Sequence, residues 1–169
     1  MEQTYKKVIA ELQDLLGPSK VYTDQLYTLA KGTDAGFYRL IPKVGALVDN
    51  EEDALGVLKL CGKHKTPITV KAGGTSLSGQ TITDSVLMEI SDSYSKYKIE
   101  EDGKIATFQC GLRGGLANHR LIKYGRQLGP SPASINSARV SGIVSNNASG
   151  AELIEAGLGP SCLPYLMSR

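Results

Sequence analysis

The sequence predicts an α+β fold in which a parallel β-α-β unit is followed by an antiparallel meander. Two short apolar stretches, ending at Val48 and Val70, flank an amphipathic segment, and this strand-helix-strand order is typical of a right-handed parallel crossover. Between residues 85 and 110, three further apolar stretches indicate consecutive strands. Helical patterns precede and follow these strands.

The N-terminal part of the chain is predicted to form two helices. An apolar stripe at helical spacing begins at residue 8, and the Gly17-Pro18 pair ends it. A second, shorter helix is predicted from Asp24 to about Lys31. The stripe consists of Val8, Leu12, Leu15 and Leu16.

The β-α-β unit begins with a predicted strand at residues 46–48. Asn50 is expected to cap the following helix, with Asp53 as the partner in a weak capping box. One face of that helix is apolar, so Cys61 is interpreted as a core residue. The second strand is predicted at residues 67–70. The apolar face consists of Ala54, Val57, Leu58 and Cys61.

The meander is predicted from stretches at residues 85–90, 96–99 and 104–110. Asp102-Gly103 is a tight hairpin signal between the last two strands, and the charged residues around it are interpreted as a solvated hairpin tip. A helix is predicted to follow from about Gly115 to Tyr124, with Gly125 ending it.

The composition fits one soluble globular domain, since 41% of the 169 residues are hydrophobic. The net charge of +2, from 19 basic and 17 acidic residues, indicates neither nucleic acid nor a charged membrane surface as a partner. No apolar run approaches the ~20 residues that span a bilayer, and the N-terminus shows no signal-peptide pattern. A cytoplasmic location is therefore predicted.

The cysteines and histidines do not predict a metal site. Cys61, Cys110 and Cys162 are odd in number, far apart and outside any CxxC pair, so reduced and mostly buried thiols are expected. His64 and His119 have no neighbouring cysteine or histidine, which makes them poor candidates for metal binding or catalysis.

The most distinctive motif is KAGGTSLSGQT at residues 71–81. Gly74, Gly79 and the Gln80-Thr81 pair have the spacing of a P-loop, but Gln80 stands where that loop needs lysine. The following residues lead into a strand, which argues further against a triphosphate site. Two interpretations stay open. One is a concavity of backbone N–H groups for another anion, and the other is a Gly/Ser turn without a ligand.

A second segment, Gly129 to Gly150, is rich in glycine, asparagine and serine. A stretch of this length in a compact domain is either disordered or built around a ligand. Four apolar residues within it favour an ordered structure. These anchors are Ile135, Val140, Ile143 and Val144.

Together, KAGGTSLSGQT and LGPSPASINSARVSGIVSNNASG resemble the FAD-binding domain of the vanillyl-alcohol oxidase/p-cresol methylhydroxylase (PCMH-type) family. The likeness is greatest to the branch of FAD-linked D-lactate dehydrogenase and glycolate oxidase, whose N-terminal signature resembles LAKGTDAGFYRLIP at residues 29–42. The resemblance covers about residues 20–150. It implies the N-terminal part of a PCMH-type FAD-binding domain.

The resemblance implies FAD as the cofactor, with its pyrophosphate on the first motif and its flavin and ribityl chain along the second. No histidine stands at the glycine-loop position that some relatives use for covalent attachment, so non-covalent FAD is expected. The implied pyrophosphate residues are Lys71, Ala72, Gly73, Gly74, Thr75, Ser76, Leu77, Ser78 and Gly79. The rest of the cofactor is implied to contact Pro130, Ala133, Ser134, Gly142, Ile143, Asn147 and Gly150.

Three positions depart from the family pattern. Lys71 stands where arginine is usual, which keeps the charge but loses the bidentate geometry. Cys110 stands where proline is common. Ser141 replaces the first residue of a glycine pair, and its side chain is expected to crowd the approach of the backbone to the flavin.

The resemblance divides the chain into an N-terminal helical segment at residues 1–36, a partial FAD-binding domain at 37–150 and a divergent tail at 151–169. Because the tail does not resemble the family's continuation, the chain is interpreted as a truncated member without the substrate domain. A non-catalytic FAD-binding module and an inactive remnant stay open as alternatives.

The implied activity is oxidation of a 2-hydroxy acid of the D-lactate or glycolate type, with electrons passing to a quinone, a carrier protein or an iron–sulfur partner. No catalytic residue is named in this chain, because the family's candidates lie in the substrate domain, and the chain alone is expected to be inactive. The expected location is the cytoplasm or the inner face of the membrane.

Overall fold

The computed structural model describes residues 2–148, and for Glu2 the backbone alone. Met1 and residues 149–169 lie outside the described residues, and with them the predicted cofactor residue Gly150, Cys162 and the predicted tail at 151–169. The described residues divide into two compact units, the first ending at Tyr94 and the second beginning at Ser95. The predicted junction between residues 36 and 37 falls inside the first unit.

Three helices of the first unit lie where the sequence predicts them. The first helix ends at Leu16, and the next residue, Gly17, has a φ of 86° that favours glycine. The Asp24 carboxylate caps α2 by accepting a hydrogen bond from the Tyr27 N–H at 2.7 Å, and the Asn50 side chain caps α3 by accepting one from the Asp53 N–H at 2.8 Å. The helices are α1 (Glu2–Leu16), α2 (Gln25–Lys31) and α3 (Glu51–Lys63), with a 3-10 turn at Pro18–Lys20.

A four-stranded sheet with the order β1-β2-β4-β3 forms the centre of the first unit. β2, β4 and β3 are parallel, so their carboxyl ends lie at one edge of the sheet, and β1 is antiparallel to β2. The strands are β1 (Val21–Tyr22), β2 (Val44–Val48), β3 (Ile68–Lys71) and β4 (Val86–Ile90).

The place of β4 corrects one detail of the predicted topology. The sequence pattern predicts residues 85–90 as part of the antiparallel meander, but β4 lies between β2 and β3 and is parallel to both. All five residues of β4 are buried. A central parallel strand is covered on both faces and therefore lacks the alternation that would distinguish it from its neighbours along the chain.

The core of the first unit lies where α1 and α3 pack on the sheet. Val8 and Leu12 of α1 and Val57 of α3 are fully buried there. Cys61 is buried as predicted, and burial raises the pKa of its thiol. Leu58 was predicted on the buried face of α3, but it is 44% exposed and Leu60 is buried instead.

The second unit contains the antiparallel pair that remains of the predicted meander. β5 and β6 are joined by a tight turn at Glu101–Gly103, where Asp102 and Gly103 both have positive φ. The helix predicted after β6 is present and ends at Gly125 with a φ of 63°. The elements are β5 (Tyr97–Glu100), β6 (Ile105–Phe108), α4 (Gly114–Leu121), a 3-10 turn at Ile122–Tyr124 and α5 (Val140–Ser145).

A cluster at the end of β2 makes the stability of the first unit sensitive to acid. Asp49 Oδ2 lies 2.7 Å from Lys20 Nζ, and Asp49 Oδ1 accepts a hydrogen bond from Ser93 Oγ at 2.5 Å. These hydrogen bonds lower the pKa of Asp49 to about 2, and the bond from Lys20 has the largest effect. Because the folded pKa lies below the ordinary value of 3.8, Asp49 stabilises the fold above about pH 4, and this contribution is lost as the pH falls toward 2.

We therefore expect Asp49→Asn to flatten the pH dependence of the free energy of unfolding between about pH 4 and pH 2. Urea denaturation at several pH values measures this slope for both proteins. An equally steep fall in the variant and the wild type would contradict the role of Asp49.

Candidate functional site

The glycine loop, residues 71–81, follows β3 at the carboxyl edge of the parallel strands. Open α/β sheets bind ligands at this edge. Within the described part of the chain, the backbone N–H groups of the five consecutive residues from Gly73 to Leu77 donate no hydrogen bond. The buried hydroxyl of Thr81, in the same loop, also has no partner among residues 2–148. A run of unpaired N–H groups is the arrangement that attracts an anion.

Glycine is required at two turns of this loop. Gly74 has a φ of 63° and Gly79 a φ of 77°, a region that other residues seldom adopt. A Cβ on Gly74 would also lie 2.8 Å from Cε of Lys71. Both the backbone conformation and the space beside Gly74 therefore select glycine.

Lys71 lies beneath the loop with only 9% of its surface exposed. Its Nζ donates hydrogen bonds to the carbonyl oxygens of Lys31 at 3.0 Å and Thr33 at 2.5 Å. Burial lowers the pKa of Lys71, and the nearby Glu89 carboxylate partly offsets this effect. Two of the three ammonium donors are thus used inside the protein, so the side chain supports the loop from below.

The segment at residues 31–36 is bound to the glycine loop by further hydrogen bonds. Asp34 Oδ1 accepts a hydrogen bond from the Gly36 N–H at 2.8 Å, and Oδ2 accepts one from the Gly79 N–H at 3.0 Å. The Ala35 N–H donates to the Ser76 carbonyl at 3.0 Å. The sequence pattern does not by itself identify Asp34 as a site residue. The available signal was an aspartate two residues before a glycine, which favours an Asx-turn.

Glu89 of β4 connects this region to α2. Its carboxylate, 8% exposed, accepts a hydrogen bond from the Tyr27 hydroxyl and lies 2.5 Å from Lys31 Nζ. Burial has the largest effect in raising the pKa of Tyr27, and the hydrogen bond to Glu89 raises it further. The Tyr27 ring stacks on that of Tyr22. In the β3–β4 register, Glu89 is the partner of Lys71. The sequence pattern does not identify Glu89 as a site residue either, although a carboxylate inside an apolar strand indicates a buried partner.

The second predicted segment is ordered up to the end of the described residues at 148. A turn at residues 132–138 packs on the start of α4, where the Gly115 N–H donates to the Ile135 carbonyl at 2.8 Å and the Gly114 N–H to the Ala138 carbonyl at 2.9 Å. The first N–H groups of α4 are therefore used within the unit. The prediction of an ordered segment is confirmed for this part.

The predicted flavin-side residues occupy different settings in the second unit. Pro130, Ala133 and Ser134 lie in or before the turn at 132–138, and Ala133 is exposed. The side chain of Ile143 is 4% exposed, while a Cβ on Gly142 would meet open space. Their contact with a cofactor stays a prediction, as does that of Asn147, which has a φ of 46° after α5.

Ser141 and Cys110, two departures from the family pattern, contact each other. Ser141 Oγ donates a hydrogen bond to the Cys110 carbonyl at 2.9 Å. The hydroxyl of Ser141 is thus fixed by a backbone carbonyl of the same unit. Cys110 is exposed, which differs from the expectation of mostly buried thiols.

Two kinds of feature are missing from residues 2–148. No group of three His, Cys, Asp or Glu side chains is arranged to hold a metal ion. None of the helices described there combines the length and the apolar character that crossing a membrane requires.

A sequence profile described as an FAD binding domain matches residues 42–166. The matched range contains the whole glycine loop and the second segment. It begins after the 31–36 segment, and it ends inside the part of the chain predicted as a divergent tail.

Curated relatives match the chain at low identity. The D-2-hydroxyglutarate dehydrogenase of Pseudomonas putida is 23% identical over 150 residues, which is 86% of this chain and 15% of that protein. The D-lactate dehydrogenase of Archaeoglobus fulgidus is 23% identical over 64% of this chain and 24% of its own length. The glycolate oxidase subunit GlcD of Escherichia coli is 25% identical over 72% of this chain and 25% of its own length. The chain spans a quarter or less of these relatives.

Solved structures share the fold at identities of 16% to 20%. Alkyldihydroxyacetonephosphate synthase has a TM-score of 0.77 over 90% of this chain and 31% of that one. p-Cresol methylhydroxylase has a TM-score of 0.72 over 89% and 31%. Glucooligosaccharide oxidase from Acremonium strictum, described with a 6-S-cysteinyl, 8α-N1-histidyl FAD, has a TM-score of 0.61 over 79% and 29%. The predicted PCMH-type fold class is confirmed.

Proposed function

The chain belongs to the FAD-binding domain family, and on that premise we propose that its glycine loop binds the pyrophosphate of FAD. The observation that carries this proposal is the run of N–H groups from Gly73 to Leu77, which have no hydrogen-bond partner among the described residues. A pyrophosphate offers several anionic oxygens to such a run. The residues present therefore fit the phosphate part of the cofactor.

Lys71 contributes to this site from below the loop. Its ammonium is held by two carbonyl oxygens and balanced by the Glu89 carboxylate, so it contributes to phosphate binding through the shape of the loop. Backbone dipoles are the main attraction for the anion. This differs from a P-loop, whose lysine contacts the phosphates directly.

We further propose that FAD is bound without a covalent bond to the glycine loop and that the second segment contacts its remaining part. Residues 71–81 contain neither histidine nor cysteine, the two residue types in the flavin linkage described for the glucooligosaccharide oxidase. The cofactor contacts proposed for the second segment are those implied by the resemblance.

The whole protein is proposed to oxidise a 2-hydroxy acid of the D-lactate or glycolate type. The names of the relatives support this class of substrate. Bound FAD would supply the two-electron redox chemistry of such an oxidation, and a quinone, a carrier protein or an iron–sulfur partner is proposed as the electron acceptor. No described residue is assigned a catalytic role, and we expect no turnover of D-lactate by the 169-residue chain alone.

Titration of the purified chain with FAD, ADP and riboflavin tests the phosphate part of the proposal. FAD and ADP contain the pyrophosphate, so both are expected to raise the melting temperature, whereas riboflavin is expected to raise it much less. Flavin fluorescence reports FAD binding independently. The proposal is wrong if FAD has no effect, or if riboflavin stabilises the chain as strongly as FAD.

A further inference from the structure

We propose that Asp34 is a positioning residue of the cofactor site: it holds the glycine loop in its anion-binding shape by fixing the Gly79 N–H. The proposal rests on the proposed function of that loop. It also extends the cofactor-binding unit upstream of residue 42, where the family match begins.

The carboxylate of Asp34 joins two parts of the chain that are far apart in sequence. One oxygen accepts a hydrogen bond from the Gly36 N–H at 2.8 Å, and the other accepts one from the Gly79 N–H at 3.0 Å. Gly79 has a φ of 77°, so the loop reverses direction at the residue that Asp34 holds. The far end of the loop is thereby fixed, while the N–H groups from Gly73 to Leu77 stay unpaired among the described residues.

The 31–36 segment is itself rigidly placed against the loop. The Ala35 N–H donates to the Ser76 carbonyl at 3.0 Å, and Lys71 holds the carbonyl oxygens of Lys31 and Thr33. A Cβ on Gly36 would lie 2.6 Å from the Leu77 carbonyl oxygen, so the two backbones pass in close contact. Four hydrogen bonds therefore join the segment to the loop, one at its middle, two at its start and one at its end.

A carboxylate beside an anion site would repel the anion if its charge were not balanced. The ammonium of Lys71 interacts electrostatically with both Asp34 and Glu89, and Lys31 forms an ion pair with Glu89 at 2.5 Å. The two lysines and the two acids together have no net charge. The attraction for the anion is consequently left to the backbone dipoles of the loop.

The proposal separates the roles of the loop residues. Residues 73–77 donate to the pyrophosphate, whereas the Gly79 N–H stays on Asp34 and contributes only through the conformation that it fixes. Gly79 is one of the cofactor residues implied by the resemblance. Its proposed role in the site is to shape the loop.

The test compares Asp34→Ala and Asp34→Asn with Asp24→Ala in the full-length chain. Asp24 serves as the control, because its carboxylate accepts a backbone N–H at the start of α2, as that of Asp34 accepts two, and its hydrogen bond lies outside the glycine loop. Amide hydrogen exchange is measured without ligand, and the FAD dissociation constant is measured by flavin fluorescence.

Asp34→Ala is expected to accelerate exchange at the Gly79 and Gly36 amides and to weaken FAD binding about tenfold, the size of one lost hydrogen bond to a charged group. Asp34→Asn retains one accepting oxygen and is expected to give an intermediate dissociation constant. Asp24→Ala is expected to lower the melting temperature, as loss of a helix cap does, and to leave the FAD dissociation constant within about twofold of wild type.

Unchanged exchange at Gly79 in Asp34→Ala would overturn the proposal, whether or not FAD binds. So would an FAD dissociation constant within about twofold of wild type, or an equal weakening of FAD binding by Asp24→Ala, which would make the effect one of general stability. A wild-type chain that does not bind FAD refutes the proposed function instead, and the exchange experiment then still decides whether Asp34 shapes the loop.

Discussion

Replacing Gly74 by valine is expected to abolish the stabilisation of this chain by FAD. Gly74 has a φ of 63°, where a β-branched residue is strained by about 1–3 kcal/mol. Its Cβ would lie 2.8 Å from Cε of Lys71, whose amine is held by two carbonyl oxygens and cannot move without breaking those bonds. At FAD concentrations 100-fold above the dissociation constant, the stabilisation to be lost is about 2.7 kcal/mol.

The measurement is the FAD-dependent change in the free energy of unfolding, obtained by urea denaturation with and without FAD. Gly62→Val is the matched control, because Gly62 lies exposed in α3 and a Cβ there would meet no atom within 4 Å. The control is expected to keep the full FAD effect. If the Gly74→Val protein folds and retains the wild-type FAD effect, the glycine loop is not part of the cofactor site.

The second large effect is expected at Glu89, where replacement by glutamine should lower the free energy of unfolding by about 3–5 kcal/mol. The carboxylate is 8% exposed, and it balances Lys31 at 2.5 Å and the buried Lys71 across the β3–β4 register. Glutamine keeps the shape and one accepting oxygen, but it removes the charge of Glu89, one of the two carboxylates, with Asp34, that interact with the buried ammonium of Lys71.

Glu100→Gln provides the matched control for this change. Glu100 pairs with Lys98 at 2.7 Å, but both side chains are exposed, at 42% and 70%. Loss of such a surface pair is expected to cost less than about 1 kcal/mol. Urea denaturation of both variants gives the comparison. Similar losses for Glu89→Gln and Glu100→Gln would show that the interactions of Glu89 with Lys31 and Lys71 stabilise the fold no more than a surface ion pair does.

The helices and most strands of this chain are predictable because their signals are local. The caps at Asp24 and Asn50 and the glycine ends at Gly17 and Gly125 occur within a few residues of the helices that they bound. The glycine loop was likewise identified from its own residues. Local patterns therefore determine where elements begin and end.

The order of the strands and the supports of the site depend on contacts between distant residues. β4 follows β3 in sequence but inserts between β3 and β2, and no local pattern in an apolar strand shows which neighbours it will have. Asp34 contacts Gly79, 45 positions away, and Glu89 contacts Lys31, 58 positions away. Such partners emerge only when the chain has folded.

The backbone N–H groups of residues 73–77 are proposed to bind the pyrophosphate of FAD. Amide NMR of the isotopically labelled chain during titration with ADP, which contains the pyrophosphate without the flavin, tests it most directly. We expect the largest shifts of amide resonances from Gly73 to Leu77, with a small change at Gly79 because its N–H stays on Asp34. Unchanged resonances in the loop, with the main shifts at Gly114 and Gly115 of α4, would contradict it.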